Sequence, residues 1–211
     1  MKHGGWRSSL SSQLINLRSA VPYLTSGTAL RHLAGFPLNY LRGERSGPFP
    51  LIINFRITGR CNLRCSYCFD SGARAAPESE LRLDQIQEFV EQCAPHRPGF
   101  FLTGGEPMVR RDLFDIIALI KAHRMRVGMV TNGVLLDDAA VERLIGAGLD
   151  DIYISVHGDA AVHDEITGRP GSFRRSIAAL GLMARALPRG RVTANYILNP
   201  ASIETTAPVL D

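Results

Sequence analysis

Three cysteines within eight residues constrain this chain more than any other feature of its sequence. Cys61, Cys65 and Cys68 occur in the run CNLRCSYC, whose C-x3-C-x2-C spacing supplies three thiolates and no fourth. A 4Fe–4S cluster is normally held by four cysteines, so a three-cysteine loop leaves one iron open to a ligand that the protein does not supply. An open coordination position is typical of a reactive metal site rather than a structural one. The loop therefore predicts a reactive iron–sulfur site.

The remaining cysteine does not complete this set. Cys93 lies in LDQIQEFVEQC on the helical stripe of Ile86, Phe89 and Val90, which predicts a core position. A structural zinc site would need a fourth Cys or His at finger or ribbon spacing. A disulfide framework is disfavoured because four cysteines in 211 residues, three of them crowded and with no convincing secretory leader, are typical of a reducing cytosol. We therefore expect a cytoplasmic protein.

Polar and glycine-rich segments follow successive predicted strands after the cysteine loop. The segments are FFLTGGEP, VGMVTNG and DIYISVHGD, and their strand-end residues include Gly104, Gly105, Glu106, Thr131, Asn132 and Ser155. In a parallel β/α barrel the carboxyl ends of the strands form one face, where the loops converge and catalysis is housed. We expect these residues to meet the cysteine loop at that face.

These motifs, in this order, resemble those of radical S-adenosylmethionine (radical SAM) enzymes over roughly residues 51–199. The branch that we expect is the SPASM or molybdenum-cofactor-biosynthesis type. In that family the C-x3-C-x-aromatic-C loop binds a 4Fe–4S cluster, and the aromatic residue here is Tyr67. The resemblance implies Cys61, Cys65 and Cys68 as cluster ligands, with SAM chelating the iron that has no cysteine. The implied cofactors are a 4Fe–4S cluster and SAM.

The resemblance also assigns cofactor contacts near the cluster loop. The backbone of Tyr67 is expected to lie against the adenine of SAM. The GGEP segment is expected to approach the methionine amino group, with Glu106 as the ammonium partner. Gly104 and Gly105 fit that role because a backbone without Cβ can come close to a ligand.

Residues that end the third and fourth strands are implied contacts of the SAM sugar and carboxylate. They are Thr131, Asn132 and Ser155. TNG is also an ordinary turn sequence, and its position after an apolar strand favours the binding role. A lone strand-end serine is usually solvated, so Ser155 rests more on the resemblance than Asn132 does.

The chain departs from the family pattern at one position. Relatives often carry HD-x-x-R-G, with the arginine on the cofactor carboxylate, whereas HDEITGRPGSF has Thr167 there. Arg169, two residues later, is the candidate substitute, because a guanidinium suits a carboxylate. The alternative is an unpaired loop arginine. His157 and His163 are loop histidines in this interpretation, and no pattern singles out either as a proton shuttle.

The implied function is reductive cleavage of SAM at the cluster. It gives a 5′-deoxyadenosyl radical that abstracts hydrogen from a peptide, a cofactor precursor or a lipid. The alternative is an incomplete or degenerate relative that uses its cluster for electron transfer or structure. A methionine-binding loop has no use in an electron-transfer module, which would also carry a fourth cysteine, so the sequence favours the enzyme.

Strands and helices alternate along the chain, which predicts an α/β fold with a parallel sheet and helices outside it. We expect a partial parallel (β/α)6-type TIM-like barrel with about five β/α units. Residues 1–48 are predicted to form an N-terminal helical arm, and residues 49–211 the radical SAM core domain. Because only about ten residues follow Pro200, we expect the core either to be truncated at its C-terminus, as a fragment of a longer enzyme, or to be completed by a partner chain.

Charge and composition limit the classes of partner that we expect for this chain. The net charge is +4 and is spread over scattered arginines, so no nucleic-acid partner is expected. No run reaches the length of a membrane span. The arm either makes a peripheral membrane or lipid contact or packs across the barrel, and its short, broken apolar stripe favours packing. The resemblance implies an electron donor such as flavodoxin or ferredoxin.

Overall fold

The computed structural model describes residue 41 and residues 49–68, 80–188, 190–198 and 202–205. The chain divides into two compact units, Met1–Leu51 and Ile52–Asp211. Apart from Leu41, the predicted arm over residues 1–48 lies outside the described residues, so the arm stays a prediction. None of the described helices has the length and apolar character needed to cross a lipid bilayer.

Strands and helices alternate through the described part of the second unit. The strands are β1 (Ile52–Thr58), β2 (Gly99–Gly104), β3 (Val127–Thr131), β4 (Asp151–Val156) and β5 (Val192–Tyr196). The helices are α1 (Leu83–Cys93), α2 (Leu113–Ala122), α3 (Asp138–Ala147), α4 (Ala160–Thr167) and α5 (Ser172–Ala186). Short 3-10 helices lie at Pro107–Val109 and Ile203–Thr205.

The five strands form one parallel sheet in the order β1-β2-β3-β4-β5. Each strand therefore pairs with the next one along the chain, which is the arrangement of a β/α barrel wall. The predicted fold class, a partial TIM-like barrel with five β/α units, is confirmed. All carboxyl ends of the strands lie at the same edge of this sheet.

The two faces of the sheet carry different side chains. On one face the ring of Phe89 from α1 packs on Phe55 and Phe100, with ring centroids 5.4 and 6.1 Å apart. On the other face the rings of Phe101 and Tyr153 meet at 4.8 Å across Gly128. A Cβ at Gly128 would lie 2.9 Å from the Phe101 ring, so this contact requires glycine. The helix-covered face holds the core, and the opposite face is the interior of the partial barrel.

Helix α4 was not expected, because the segment after β4 was interpreted as a loop. Its start is capped by the Asp159 side chain, which accepts a hydrogen bond from Val162 N at 3.0 Å. It ends at Gly168, whose left-handed backbone (φ 65°) is a common helix terminator. The interpretation of His163 as a loop residue was therefore wrong, since that histidine lies on α4.

Asp164 on α4 provides the cap that α5 lacks in its own sequence. The N-cap of α5 is Gly171, which has no side chain to accept from the helix N–H groups. Asp164 accepts instead from Gly171 N, from Phe173 N at 2.9 Å and from Ser172 Oγ at 2.9 Å. The acidic residue of HDEITGRPGSF thus joins two consecutive helices.

We predict that Asp164→Ala lowers the free energy of unfolding by about 1–2 kcal/mol, the usual cost of losing a helix cap. The measurement is urea denaturation followed by circular dichroism. Asp138→Ala is the matched control, because Asp138 is an exposed carboxylate in the first turn of α3. The control should change the free energy of unfolding by less than about 0.5 kcal/mol. Equal effects of the two changes would contradict the capping role.

The effect of Asp164→Ala should also depend on pH. Burial alone raises the pKa of Asp164, but the donors from Phe173, Gly171 and Ser172 outweigh it and lower the pKa below its ordinary value. The stabilisation is therefore complete above the unfolded-state pKa of about 3.9. It is lost as the pH falls through the lower folded-state pKa. The difference between wild type and variant should shrink in acid, and a difference that grows there would contradict this account.

Candidate functional site

A cleft lies at the carboxyl ends of the strands. Its walls come from the cysteine loop, from the ends of β2, β3 and β4, and from α4. The lining residues are Cys61, Leu63, Cys65, Cys68, Thr103, Gly104, Gly105, Glu106, Val130, Thr131, Asn132, Ser155, His157, His163 and Thr167. The fold therefore brings most of the sequence-predicted site residues together around one space.

The cysteine loop is fixed by backbone hydrogen bonds to the end of α4. Arg64 N donates to the carbonyl oxygen of Thr167 at 3.1 Å, and Ser66 N donates to that of Ile166 at 2.8 Å. Gly168 passes close to Arg64 at the same place, where a Cβ would lie 3.4 Å from the Arg64 carbonyl oxygen. The unpredicted helix thus positions the three thiols.

The three thiols match the donor set of an iron–sulfur cluster. All are free, and Cys61 is exposed while Cys65 and Cys68 are half-buried. The described residues contain no group of three or more His, Cys, Asp or Glu side chains placed to hold one metal ion. A 4Fe–4S cluster does not need such convergence, because each cysteine binds a different iron. Three thiols that line the same cleft therefore suit a cluster.

Burial disfavours the thiolate form of two of the three cysteines, Cys61 and Cys65. It raises the pKa of Cys61, and together with the nearby Cys61 and Cys68 it raises the pKa of Cys65 to about 11. Iron binds the thiolate, so loading of a metal must displace these protons. Cys93 is buried in α1, 2% exposed and outside the cleft lining, in agreement with its predicted core position.

Gly104 and Gly105 lie where β2 passes closest to the end of β1. A Cβ at Gly104 would lie 2.2 Å from the Thr58 carbonyl oxygen, and one at Gly105 would lie 2.3 Å from that of Arg60. Gly105 N donates to Thr58 O at 3.0 Å. The close approach that requires these glycines is therefore to the protein's own backbone. Both residues also line the cleft, and their approach to SAM stays a prediction.

Glu106 places a buried carboxylate in the cleft wall. It is 1% exposed, and its Oε1 accepts from Thr131 Oγ1 at 2.7 Å and from Met108 N at 3.0 Å. Its Oε2 accepts from Asn132 N at 2.7 Å. Burial raises the pKa of Glu106 against the lowering effect of these donors. No lysine, arginine or histidine of the described residues forms an ion pair with it.

The Asn132 side chain links the end of β3 to the cysteine loop. Its Nδ2 donates to Asn62 Oδ1 at 2.8 Å, and its Oδ1 accepts from Val134 N at 3.0 Å. The turn at TNG is thus an ordinary turn that also forms part of the cleft wall, and its contact with SAM stays a prediction. Asn62 was not among the predicted site residues, and its position between two cluster cysteines is the signal that points to it.

Two buried histidines line the cleft, although no sequence pattern singled them out. His157 is 5% and His163 1% exposed, with their rings stacked at 5.3 Å. Burial lowers the pKa of His157 to about 4. Tyr67 Oη lies 2.6 Å from Nδ1 and 2.8 Å from Nε2 of His157. Tyr67 itself is not among the lining residues, and its side chain meets the cleft through His157.

Thr167 rather than Arg169 contributes to the cleft. Thr167 lies one turn after His163 on α4, and this i to i+4 spacing is the sequence signal that places both on one face. Arg169 is half-buried beyond Gly168, and it is not among the lining residues. The structure therefore does not bring Arg169 to the other site residues, and its pairing with the cofactor carboxylate stays a prediction without geometric support.

The radical SAM superfamily matches residues 55–207 of the sequence. The chain belongs to this superfamily. Among curated proteins it is 34% identical to the AdoMet-dependent heme synthase of Methanosarcina barkeri over 65% of this chain and 40% of that protein. It is 32% identical to the PqqA peptide cyclase of Granulibacter bethesdensis over 77% of this chain and 43% of that protein. The chain thus spans less than half the length of these relatives.

Solved radical SAM structures share the fold. Streptococcus suis SuiB aligns with a TM-score of 0.67 and 18% identity, over 96% of this chain and 47% of that one. A structure of anSMEcpe with bound AdoMet aligns with a TM-score of 0.56 and 21% identity, over 71% of this chain and 43% of that one. The family match and the curated relatives confirm the predicted superfamily and its SPASM-type branch. The cofactors of the radical SAM family, a 4Fe–4S cluster and SAM, are those predicted from the motifs.

We predict that Gly105→Ala destabilises this radical SAM domain by about 1–3 kcal/mol, because the new methyl group overlaps the Arg60 carbonyl oxygen. Gly146→Ala is the matched control, since a Cβ at Gly146 in α3 meets nothing within 4 Å. The control should be neutral or stabilising by up to about 1 kcal/mol. Thermal unfolding by circular dichroism measures both, and equal melting temperatures would contradict the close approach.

Proposed function

We propose that this chain is the core of a radical SAM enzyme that binds a 4Fe–4S cluster through Cys61, Cys65 and Cys68 and binds SAM at the remaining iron. One observation carries the proposal. The three thiols line the same cleft as the carboxylate of Glu106, which is buried, has hydrogen-bond donors and forms no ion pair among the described residues. Burial disfavours the ionised form of Glu106, and a cation bound beside it would stabilise that form. The ammonium group of SAM is a cation of suitable size.

When bound, the reduced cluster supplies the electron for reductive cleavage of SAM, which starts hydrogen abstraction from the substrate. The role of the chain's own residues is to bind and orient SAM. Glu106 is held in one orientation by Thr131 and Asn132, so it presents a fixed acceptor to the ammonium group. We assign Ser155 to the sugar or carboxylate of SAM and the Tyr67 backbone to the adenine.

The alternative is a cluster used for electron transfer or structure. Glu106 argues against it, because a cluster that only carries electrons gains nothing from a neighbouring buried anion. Such an anion lowers the affinity for the reducing electron unless a cation compensates it. The three-thiol set also leaves an iron open, which an electron-transfer site normally avoids.

The substrate class that we propose is a peptide or a cofactor precursor. The support is the relatives, since the PqqA peptide cyclase is named for a peptide and the heme synthase for a cofactor. SuiB has also been solved with its precursor peptide SuiA bound. We further propose that a flavodoxin or ferredoxin supplies the electron. A lipid substrate has no support from the described residues.

The direct test is anaerobic reconstitution with iron and sulfide, followed by dithionite and SAM. We predict formation of 5′-deoxyadenosine, measured by liquid chromatography and mass spectrometry. Cys65→Ala should abolish both cluster uptake and the product, whereas Cys93→Ala should retain both because Cys93 is a core residue of α1. A loaded wild type that yields no product and shows no spectral change with SAM would favour the electron-transfer alternative.

We predict that Glu106→Gln raises the dissociation constant of SAM about 10- to 100-fold, the usual range for loss of one charge-assisted contact in a buried site. The new side-chain amide also places its own N–H against the backbone N–H of Asn132, where the carboxylate had accepted a hydrogen bond. Cluster content should be unchanged, because Glu106 is not a ligand. The measurement is a SAM titration of the reduced cluster by electron paramagnetic resonance (EPR).

Glu88→Gln is the matched control for this prediction, because Glu88 is an exposed residue of α1. It should bind SAM as the wild type does. Melting curves of both variants separate a binding defect from unfolding. A folded, cluster-loaded Glu106→Gln variant with wild-type affinity would contradict the assignment of Glu106 to the ammonium group.

A further inference from the structure

His163 is a buried polar side chain that the proposed cofactor contacts do not use. It lies on α4, is 1% exposed and lines the cleft beside the three cysteines. Its Nε2 atom is buried and has no hydrogen-bond partner among the described residues. Leaving a buried polar atom unpaired costs free energy, so native proteins generally satisfy such atoms with a protein group, a water or a ligand.

The backbone of His157 fixes which nitrogen of His163 carries the proton. The His157 N–H donates to Nδ1 of His163 at 3.2 Å, so Nδ1 is the acceptor and Nε2 carries the hydrogen of the neutral ring. Burial lowers the pKa of His163 although the Asp164 carboxylate opposes this, which favours the neutral ring. Stacking on the His157 ring holds its orientation. Nε2 is therefore a buried N–H donor on a residue that lines the cleft.

The hydroxyl of Thr167, also on α4, already forms hydrogen bonds within the protein. Thr167 Oγ1 lies 2.8 Å from the His163 carbonyl oxygen, to which it donates, and 2.7 Å from Ser172 Oγ. The residues that line the described cleft include no lysine or arginine. His163 is thus the side chain of α4 that retains a donor for a bound group.

We propose that His163 binds the cofactor assembly in this cleft by donating a hydrogen bond from Nε2–H to a lone-pair acceptor on it. The inference rests on the proposed function, because that acceptor belongs either to the 4Fe–4S cluster or to SAM. A sulfur of the cluster and an oxygen of SAM are equivalent in this chemistry. His163 then acts as a cofactor-binding residue on α4, the helix that also anchors the cysteine loop.

Two substitutions separate the donor of His163 from its structural acceptor. In His163→Asn the side-chain oxygen takes the place of Nδ1 and accepts from the His157 N–H, while the donor at Nε2 is lost. In His163→Gln the amide nitrogen takes the place of Nε2 and restores a donor, while the acceptor at Nδ1 is lost. A binding role makes Asn the damaging change. A purely structural role makes Gln the damaging change.

Each variant is reconstituted anaerobically, and three quantities are measured. They are the iron and sulfide content, the midpoint potential of the cluster without SAM, and the dissociation constant of SAM from EPR titration. If SAM oxygen is the acceptor, His163→Asn raises the dissociation constant about tenfold at an unchanged potential, and His163→Gln restores most of the affinity. If sulfur is the acceptor, His163→Asn lowers the SAM-free potential, because hydrogen bonds to sulfur stabilise the reduced cluster.

His96→Asn is the matched control. His96 is an exposed histidine in the loop before β2, at the amino end of that strand and outside the cleft. It should give wild-type values for all three quantities. Thermal melting of every variant tests the fold, and where His163→Asn does not melt cooperatively, His163→Gln decides alone. Near wild-type affinity and potential in His163→Gln then support the donor role, and a tenfold loss of affinity overturns it.

Two further outcomes overturn the proposal. One is wild-type affinity and potential in both His163 variants, and the other is a larger defect in His163→Gln than in His163→Asn. A wild-type chain that takes up no cluster contradicts the proposed function and this proposal with it. A different result overturns this proposal alone. In that case the wild type takes up its cluster and both His163 variants behave as the wild type does.

Discussion

The site depends on the buried carboxylate of Glu106 and the backbone junction that carries it. Glu106 N donates to the Arg60 carbonyl oxygen at 2.8 Å, which fixes the end of β2 against the start of the cysteine loop. Its carboxylate then binds the end of β3 through Thr131 and Asn132. One residue therefore sets the relative positions of three segments of the cleft. Burial disfavours the ionised form of Glu106, and a bound cation would stabilise it there.

Helix α4 holds the opposite side of the same cleft. It receives the backbone N–H groups of Arg64 and Ser66 at its last turn, and its Asp164 caps α5. The loop with the cysteines is thus held between β2 and α4 by main-chain hydrogen bonds, which do not depend on the identity of its side chains. A loop fixed in this way keeps its three thiols at one wall of the cleft before any metal binds, which reduces the ordering cost of loading.

The strand-end residues of the site were predictable from the sequence, whereas α4 was not. Apolar runs before GGEP and TNG mark strands, and parallel strands bring their carboxyl ends together, so Glu106 and Asn132 follow from the pattern. The segment AAVHDEIT is short for a helix and has few apolar residues, and its limits come from Asp159 and Gly168. A short helix of this kind depends on tertiary contacts, here the hydrogen bonds of Asp164 to the start of α5. Arg169 was placed by nearness in sequence, and the turn at Gly168 separates it from the cleft.

The charges that line the cleft indicate how its Glu106 side and its α4 side would share one ligand. Its lining has one buried carboxylate, Glu106, and neither lysine nor arginine among the described residues. A zwitterionic ligand with its ammonium group at Glu106 would leave its carboxylate to neutral donors, because the lining of the described cleft offers no cationic side chain of lysine or arginine. Neutral donors in a buried site bind an anion without adding a second desolvated charge. The proposed Nε2–H donor of His163, one helix turn before Thr167, would supply such a contact at little electrostatic cost.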